Sequence, residues 1–426
     1  MIVCNNRDVF ALLADGRACQ WSDSFNSQSI DVVNKLAPTI IDEQVALVSP
    51  SLSKTSIFVA MTTDDRIYIY WNVNSGPTDI TDVVHQAIGD RAETVQNVHS
   101  FKRAHSNWAQ IAVVTERSVD IFDIRYTGFN WKQPIYVHRP YSMTAYSKPL
   151  GRHPSCRFEI VPQVRHTFAA GIDTVSIGTV GGFVKTKDHK LYKFRTSSTF
   201  DLDIRRGKEY LNQCVLTNAL NCRNIRELVC NSVNAHLLMN NGSVLMRRPV
   251  LFQRGWLDAP VTFSQVVFPK AVSIARIVTH YHHIFYITTR GQCYYAYDIY
   301  KDNEQPGFGL YPRPVAALSG LYVENIDIAH KYAVIRYASK PHSKFCTIIV
   351  NEYFGINLEY INGTKRPKRI HGLGSTRITD VTQTPSHTYF VTDTGSLYVC
   401  ALPWNRRAVE IPFFKNNPIE VENSDT

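Results

Sequence analysis

Val3-Cys-Asn-Asn-Arg-Asp-Val-Phe-Ala-Leu-Leu-Ala-Asp-Gly16 decides the fold, because the chain carries the same pattern again as Val229-Cys-Asn-Ser-Val-Asn-Ala-His-Leu-Leu-Met-Asn-Asn-Gly242. Each stretch runs from a short apolar segment through a polar loop into a second apolar segment, and each ends in a turn closed by glycine. Self-similarity at long range marks a repeat architecture. The pattern recurs as His283-Ile-Phe-Tyr-Ile-Thr-Thr-Arg-Gly291 and His387-Thr-Tyr-Phe-Val-Thr-Asp-Thr-Gly395. It recurs with Asp65 and His189 in the glycine place, more faintly around Arg117, and with a longer turn ending near Lys344. These turn positions are 49 to 53 residues apart, except for one gap of 72 that marks an insertion.

Each unit reads as a hairpin. Apolar runs rich in β-branched and aromatic residues flank a tight turn, and Gly, Asp, Asn or His there tolerates positive φ. A further strand precedes most hairpins, at 94–99, 174–177, 227–230, 275–278, 324–328 and 377–381. A fourth follows several, at 31–36, 213–216, 261–268 and 315–318. Four strands per unit make a propeller blade. The expectation is one all-β domain over 1–426, a single β-propeller of about eight blades, with seven as the alternative count. Met1 enters in mid-unit. Residues 409–414 are expected to complete the first blade and close the ring, leaving 415–426 as a tail.

With the units laid out, they resemble the regulator-of-chromosome-condensation type of propeller repeat, in divergent form. In that family a blade often reads His-Ser, three apolar residues, Thr, two residues, Gly. Here His283 and His387 stand eight residues before Gly291 and Gly395, and Thr288 and Thr392 stand three before; Thr62 and Thr186 hold the same offset. The family's Trp-Gly ending and Leu-Gly signals are missing. The resemblance implies a structural part for Gly16, Gly242, Gly291, Gly395, His283 and His387, and a binding platform rather than an enzyme. Some members act as exchange factors on small GTPases or bind nucleosomes; similar repeats occur in enzyme inhibitors and in virion proteins of very large bacteriophages.

The insertion, 126–170, is basic and aromatic. Lys132, Arg139, Lys148, Arg152, Arg157 and Arg165 face a single acid, Glu159, with Trp131, Tyr136, Tyr141 and Tyr146 interleaved. Cations engage carboxylates or phosphates, and aromatic rings supply buried contact area. These ten residues are the candidate partner-binding set, and the Pro and Gly among them predict an irregular loop. Packing of the loop on its own blades is the plainer alternative. Lys365-Arg-Pro-Lys-Arg369, Arg247-Arg248 and Arg406-Arg407 read as solvated outer edges.

The net charge of +10 accommodates nucleic acid, an anionic surface or an acidic protein, or serves solubility alone. Nine cysteines without a C-x-x-C pair predict free thiols in a reducing compartment. No leader, membrane span, cofactor motif, metal site or catalytic motif is recognisable. The reading is therefore a non-catalytic propeller bound to other proteins. It would be a scaffold or structural component of a larger assembly, cytoplasmic or incorporated in a virion of a large phage. The alternatives are a regulatory propeller of the exchange-factor or chromatin-binding kind, and a glycan-active enzyme with paired carboxylates in its channel.

Overall fold

The computed structural model describes residues 1–4, 8–23, 38–41, 45–49, 58–70, 77–88, 94–102, 109–127, 157–178, 181–195, 214–217, 222–231, 235–247, 263–280, 283–297, 310–328, 332–338, 345–350, 367–374, 376–384, 386–401 and 406–421. They form eight four-stranded sheets, each made of consecutive antiparallel strands. The first blade is Ile2–Cys4, Asp8–Leu12, Ala18–Ser22 and Thr39–Ile41. The inner strands of the second to eighth blades are Val45–Ser49, Val95–Lys102, Ile172–Ile177, Ile225–Cys230, Ile274–His280, Tyr322–Ile328 and Ile378–Gln383.

Period-two alternation gives every blade two buried faces. In the fourth blade Phe183 packs toward the fifth, and its neighbour Val184 toward the third. Eight buried clusters result, one for each seam. They run from the first-to-second seam, with Phe10, Phe58 and Tyr70, round to the eighth-to-first, with Trp21, Tyr389 and Phe414. A side chain such as Phe10 or Phe183 contributes about 1.5–3 kcal/mol by leaving water. The ring is a closed β-propeller, and the faint third and seventh units are full blades.

The turns match the sequence pattern. Gly16, Gly242, Gly291 and Gly395 have φ of 84°, 78°, 71° and 77°, and Asp65 and His189 both have 62°. Gly242 is doubly constrained, since a Cβ there would also lie 2.0 Å from Ser273 Oγ of the next blade. The threonine three residues earlier has its own reason. Thr62, Thr186, Thr288 and Thr392 each accept on Oγ1 the N–H of Arg66, Lys190, Gln292 and Ser396, at 3.0, 3.3, 2.9 and 3.0 Å. The turn carbonyl then accepts an N–H from the next inner strand, as Gly242 does from Ile274 at 2.9 Å.

Ring closure uses the C-terminal segment, but not the strand expected. Val409–Glu410 pairs with Leu397–Cys400 as the fourth strand of the eighth blade, and the first blade has its own fourth strand at Thr39–Ile41. Pro412 cannot extend a paired strand, and a short helix, Phe413–Asn416, follows. The closing residues come after it. Ile419 donates to Gly395 O at 2.9 Å and bridges Leu13; Glu420 donates to Leu12 O at 2.9 Å; the Met1 ammonium donates to Glu420 O. Leu13 stands three residues before Gly16, as Thr62, the partner of Val45, stands three before Asp65. The inner strand of the first blade is thus assembled from 418–420 and 1–4. Within 415–421, expected as part of a tail, Ile419 is buried, 1% exposed.

Two further expectations change. At 315–318 the strand is Arg313–Pro314, and Ala316–Leu318 is a 3-10 turn. The insertion is not irregular throughout: Ser118–Thr127 and Arg157–Thr167 pair from Ser118↔Thr167 to Thr127↔Arg157. Pro162 suggested a loop, but it lies in an outer strand, where a missing N–H costs no ladder bond. One α-helix, Thr81–Ile88, joins the second blade to the third and buries Val84 and Ile88. No helix among the described residues is long and apolar enough to cross a membrane.

Candidate functional site

Antiparallel order sorts the connections. Those between first and second strands, and between third and fourth, leave from one end of each blade. The tight turns and the links to the next blade lie at the other. The connections 128–156, 196–213, 248–262 and 351–367 belong to the first end, and the 80–94 link with its helix to the other.

The predicted partner residues divide accordingly. Lys132, Arg139, Lys148, Arg152, Trp131, Tyr136, Tyr141 and Tyr146 lie outside the described residues. Arg157 begins the outer strand of the third blade. Arg165, expected at a partner surface, is instead a structural staple. Its Nε lies 3.6 Å from Asp120 Oδ1, Nη2 donates to Ser118 Oγ at 3.4 Å, and Nη1 donates to the carbonyl of Ile88. A cation at the C-terminal carbonyls of Thr81–Ile88 also favours the helix dipole.

Arg247, expected on a solvated edge, is 1% exposed within Val244–Arg247, and burial pulls its guanidinium down to about 10 against the field of Cys230. Arg407 is exposed and Arg406 half-buried. Lys368–Arg369 is the exposed fourth strand of the seventh blade, as expected, while Lys365 and Arg366 lie outside the described residues. Cys4, Cys19, Cys214, Cys222, Cys230, Cys293 and Cys400 are free thiols. His283 Nδ1 is 2.9 Å from Tyr295 Oη, a structural contact, and no group of three metal-ligating side chains occurs among the described residues.

The inner wall carries a feature that the sequence pattern did not single out. In the second to eighth blades a bulge interrupts pairing at the start of the inner strand. A bulge leaves backbone groups outside the ladder, and at three seams a cation from the preceding blade reaches carbonyls there. Lys185 Nζ donates to Ile225 O at 3.1 Å. Arg226 Nη2 donates to Ile274 O and Ala275 O at 3.0 and 2.7 Å. Arg336 Nη1 donates to Ile378 O and Thr379 O at 3.2 and 2.7 Å.

Carboxylates accompany them. Asp327 Oδ2 lies 3.7 Å from Arg336 Nε. Burial pushes Asp327 up to about 7, with Arg336 opposing and Asp380 reinforcing the rise. Burial also raises Asp380 and Glu227, against the arginines beside them. An acid titrating near neutrality can exchange protons, but a glycosidase pair needs two carboxyl groups open to one bond. Here Arg336 and Asp327 are 15% and 19% exposed, and the arginine is already engaged in holding the seam.

At the closing seam a second polar group is wholly internal. The Asp23 side chain is 1% exposed. It accepts from Tyr389 Oη at 2.7 Å and from Thr384 Oγ1, and His387 Nδ1 lies 2.6 Å from its Oδ1. Trp21 Nε1 donates to Tyr389 Oη at 3.4 Å. Nearby, Cys4 Sγ donates to Gln383 O at 2.8 Å, and burial pushes the thiol up to about 12, far from a nucleophile's range.

No family model and no curated protein matches the chain. Among solved structures, Prp20p of Saccharomyces cerevisiae, described with its binding to Gsp1p and histones, aligns at 10% identity and TM-score 0.40, covering 90% of this chain and 78% of its own. BamB of Moraxella catarrhalis aligns at 8% identity and TM-score 0.41, covering 92% and 90%. Human WBSCR16 aligns at 10% identity and TM-score 0.40, covering 68% and 74%.

Proposed function

We propose that this chain is a non-catalytic propeller that works as an interaction platform for other proteins, and that its partner face is the end bearing the long connections. One observation carries the reading. The outer hairpin of the third blade has strands of 10 and 11 residues, paired as far as Thr127↔Arg157, and it presents the basic, aromatic stretch 128–156 at its tip. A paired stem is a rigid mount for a binding loop. Use of the described channel acids and arginines at the seams supports binding over catalysis, and free thiols fit a reducing compartment.

In its finer form the proposal makes the chain a component of a larger assembly, such as a virion. The test replaces 128–156 with Asn-Gly, a turn suited to a two-residue hairpin. The tagged full chain and the variant are compared in affinity purification from the native source, with the thermal midpoint as a fold control. Loss of salt-stable structural subunits from the variant supports the proposal. Recovery of the same partners by both chains overturns it. Recovery of a GTPase, histones or nucleic acid that washes off with salt favours the regulatory alternative.

A further inference from the structure

The tight turn of the fifth blade, Asn240-Asn-Gly-Ser243, contains a chemically reactive pair. An asparagine followed by glycine can lose its side-chain amide without an enzyme, because glycine has no Cβ to shield its nitrogen. The Gly242 nitrogen gives up its proton and attacks Asn241 Cγ. The bond from Cγ to Nδ2 then breaks, and ammonia leaves with that proton. Water opens the resulting cyclic imide at either carbonyl, giving Asp or its isoaspartyl isomer. Asn241 is exposed, so water reaches it.

The closed ring restrains each participant. The Gly242 N–H donates to Met239 O at 2.8 Å, and Gly242 O accepts from the Ile274 N–H of the sixth blade at 2.9 Å. Gly242 is thus held by its own hairpin and by the next blade, and a Cβ on it would lie 2.0 Å from Ser273 Oγ. Asn241 Oδ1 accepts from the Ser243 N–H at 3.0 Å and from Ser243 Oγ at 2.7 Å, which fixes the side-chain amide. Ring closure has to break into this set. Arg226 reinforces it, since its Nη2 donates to the carbonyls of Ile274 and Ala275 at 3.0 and 2.7 Å and so grips the residue that holds Gly242.

We propose that Asn241 is a spontaneous deamidation site, held unreactive by the closed fifth-to-sixth seam and released when that seam opens. Local opening of this kind precedes global unfolding in many folds, and the rate of ammonia loss then follows the open fraction. The two products fit the turn unequally. Asp15 stands before Gly16 as Asn241 stands before Gly242, and Asp15 Oδ1 accepts the Arg17 N–H at 3.0 Å, the bond that Asn241 Oδ1 makes with Ser243. An Asp at 241 therefore keeps the turn. The isoaspartyl product adds one carbon to the main chain just before Gly242 and displaces that residue from its two bonds, so an opening of the seam leaves a lasting mark.

The full chain is incubated in mildly alkaline buffer, with and without denaturing urea. Digests are followed by liquid chromatography and mass spectrometry, which separate the Asn, Asp and isoaspartyl forms at 241 from those at the other Asn-Gly pair, Asn362-Gly363. Asn241 should convert in urea and stay largely intact in the fold. Arg226→Ala, which removes the grip on Ile274, should speed conversion in the fold about tenfold, the effect of roughly 1.4 kcal/mol on opening. Arg336→Ala removes the corresponding grip at the seventh-to-eighth seam, on Ile378 O and Thr379 O, and should leave the rate at Asn241 as in the parent. Both variants are assayed well below their thermal midpoints. Equal rates with and without urea, no conversion in urea, or an unchanged rate in Arg226→Ala would overturn the proposal. So would equal acceleration by both variants, which would mean that unfolding of the whole ring, and not this seam, exposes Asn241.

Discussion

Cys4 and Cys230 occupy the same place in repeats four blades apart, and the seams they mark are built differently. Both thiols donate to the inner strand of the preceding blade, Cys4 to Gln383 O at 2.8 Å and Cys230 to Ser176 O at 3.3 Å. The fourth-to-fifth seam also has the apolar cluster around Phe183 and Leu237, Lys185 on a carbonyl, and the Cys230 N–H donating to Ser176 Oγ at 2.9 Å. The eighth-to-first seam adds buried Asp23 with its converging donors, and an inner strand made of two separate stretches. The chain crosses the closing seam as it does the others, here from the fourth strand Val409–Glu410 to 418–420. What differs is that the inner strand it enters is completed by the separate stretch 1–4, so hydrogen bonds such as that from the Met1 ammonium to Glu420 O supply its register. Similar repeats do not make identical interfaces: the closing seam holds a buried carboxylate with several donors converging on it.

The largest effect should come from removing that charge. Asp23→Ala leaves the buried donors of Tyr389, Thr384 and His387 without their acceptor, and the loss expected is about 3–5 kcal/mol. Cys230→Ala at the fourth-to-fifth seam removes one weak donor and should cost about 1 kcal/mol. Urea unfolding of both variants measures the difference. Equal losses would mean that the closing seam has no special part in stability.

The comparison also shows what the sequence could carry. Turn glycines, the threonines before them, the inner-strand segments and the number of blades were legible, because each repeats and each has a local cause in φ or in a turn hydrogen bond. Closure was misassigned because it depends on pairing between distant segments. Ile419 looks like an ordinary tail residue until Leu13 and Gly395 are placed beside it. Arg165 and Arg247 looked like surface cations because charge alone says nothing about which face of a strand a side chain takes. The inner-wall bulges have no residue signature: Arg226, Ala275, Glu324 and Thr379 share nothing but position.

A middle-sized effect separates the two kinds of seam by pH. Ordinary seams bury neutral histidines: burial pulls His236, stacked edge-on to Tyr286 at 6.3 Å, down to about 3, and His166 down to about 4. At the closing seam the histidine is beside a carboxylate instead. Below the ordinary histidine value of 6.5 the unfolded chain takes up a proton at His236 that the folded chain refuses. Its contribution is therefore intact above pH 6.5 and declines as pH falls toward about 3, by about 1.4 kcal/mol per pH unit. Asp327, raised to about 7, acts with the opposite sign, favouring the fold as pH falls below 7. His236→Phe should remove about one proton from the pH dependence between pH 6 and 4, measured by urea unfolding at each pH. An unchanged slope would show that His236 is protonated in the fold.

The smallest effect should be a gain, and it tests whether the repeat, rather than either seam, sets the turn geometry. Asp65 holds a φ of 62°, where its counterparts Gly16, Gly242, Gly291 and Gly395 hold 71–84°. Left-handed backbone costs a side-chain-bearing residue roughly 1–2 kcal/mol. Glycine removes that strain but returns roughly 0.5–1 kcal/mol through the entropy of the unfolded chain. Asp65→Gly should therefore stabilise the protein by somewhat under about 1 kcal/mol, seen as a higher urea midpoint with an unchanged slope. Among the described residues the side chain of Asp65 makes no hydrogen bond or ion pair that would be lost, and the neighbouring pair Asp64–Arg66 remains in place. A lower midpoint would mean that the second blade does not share the left-handed turn, and the repeat argument would fail at that blade.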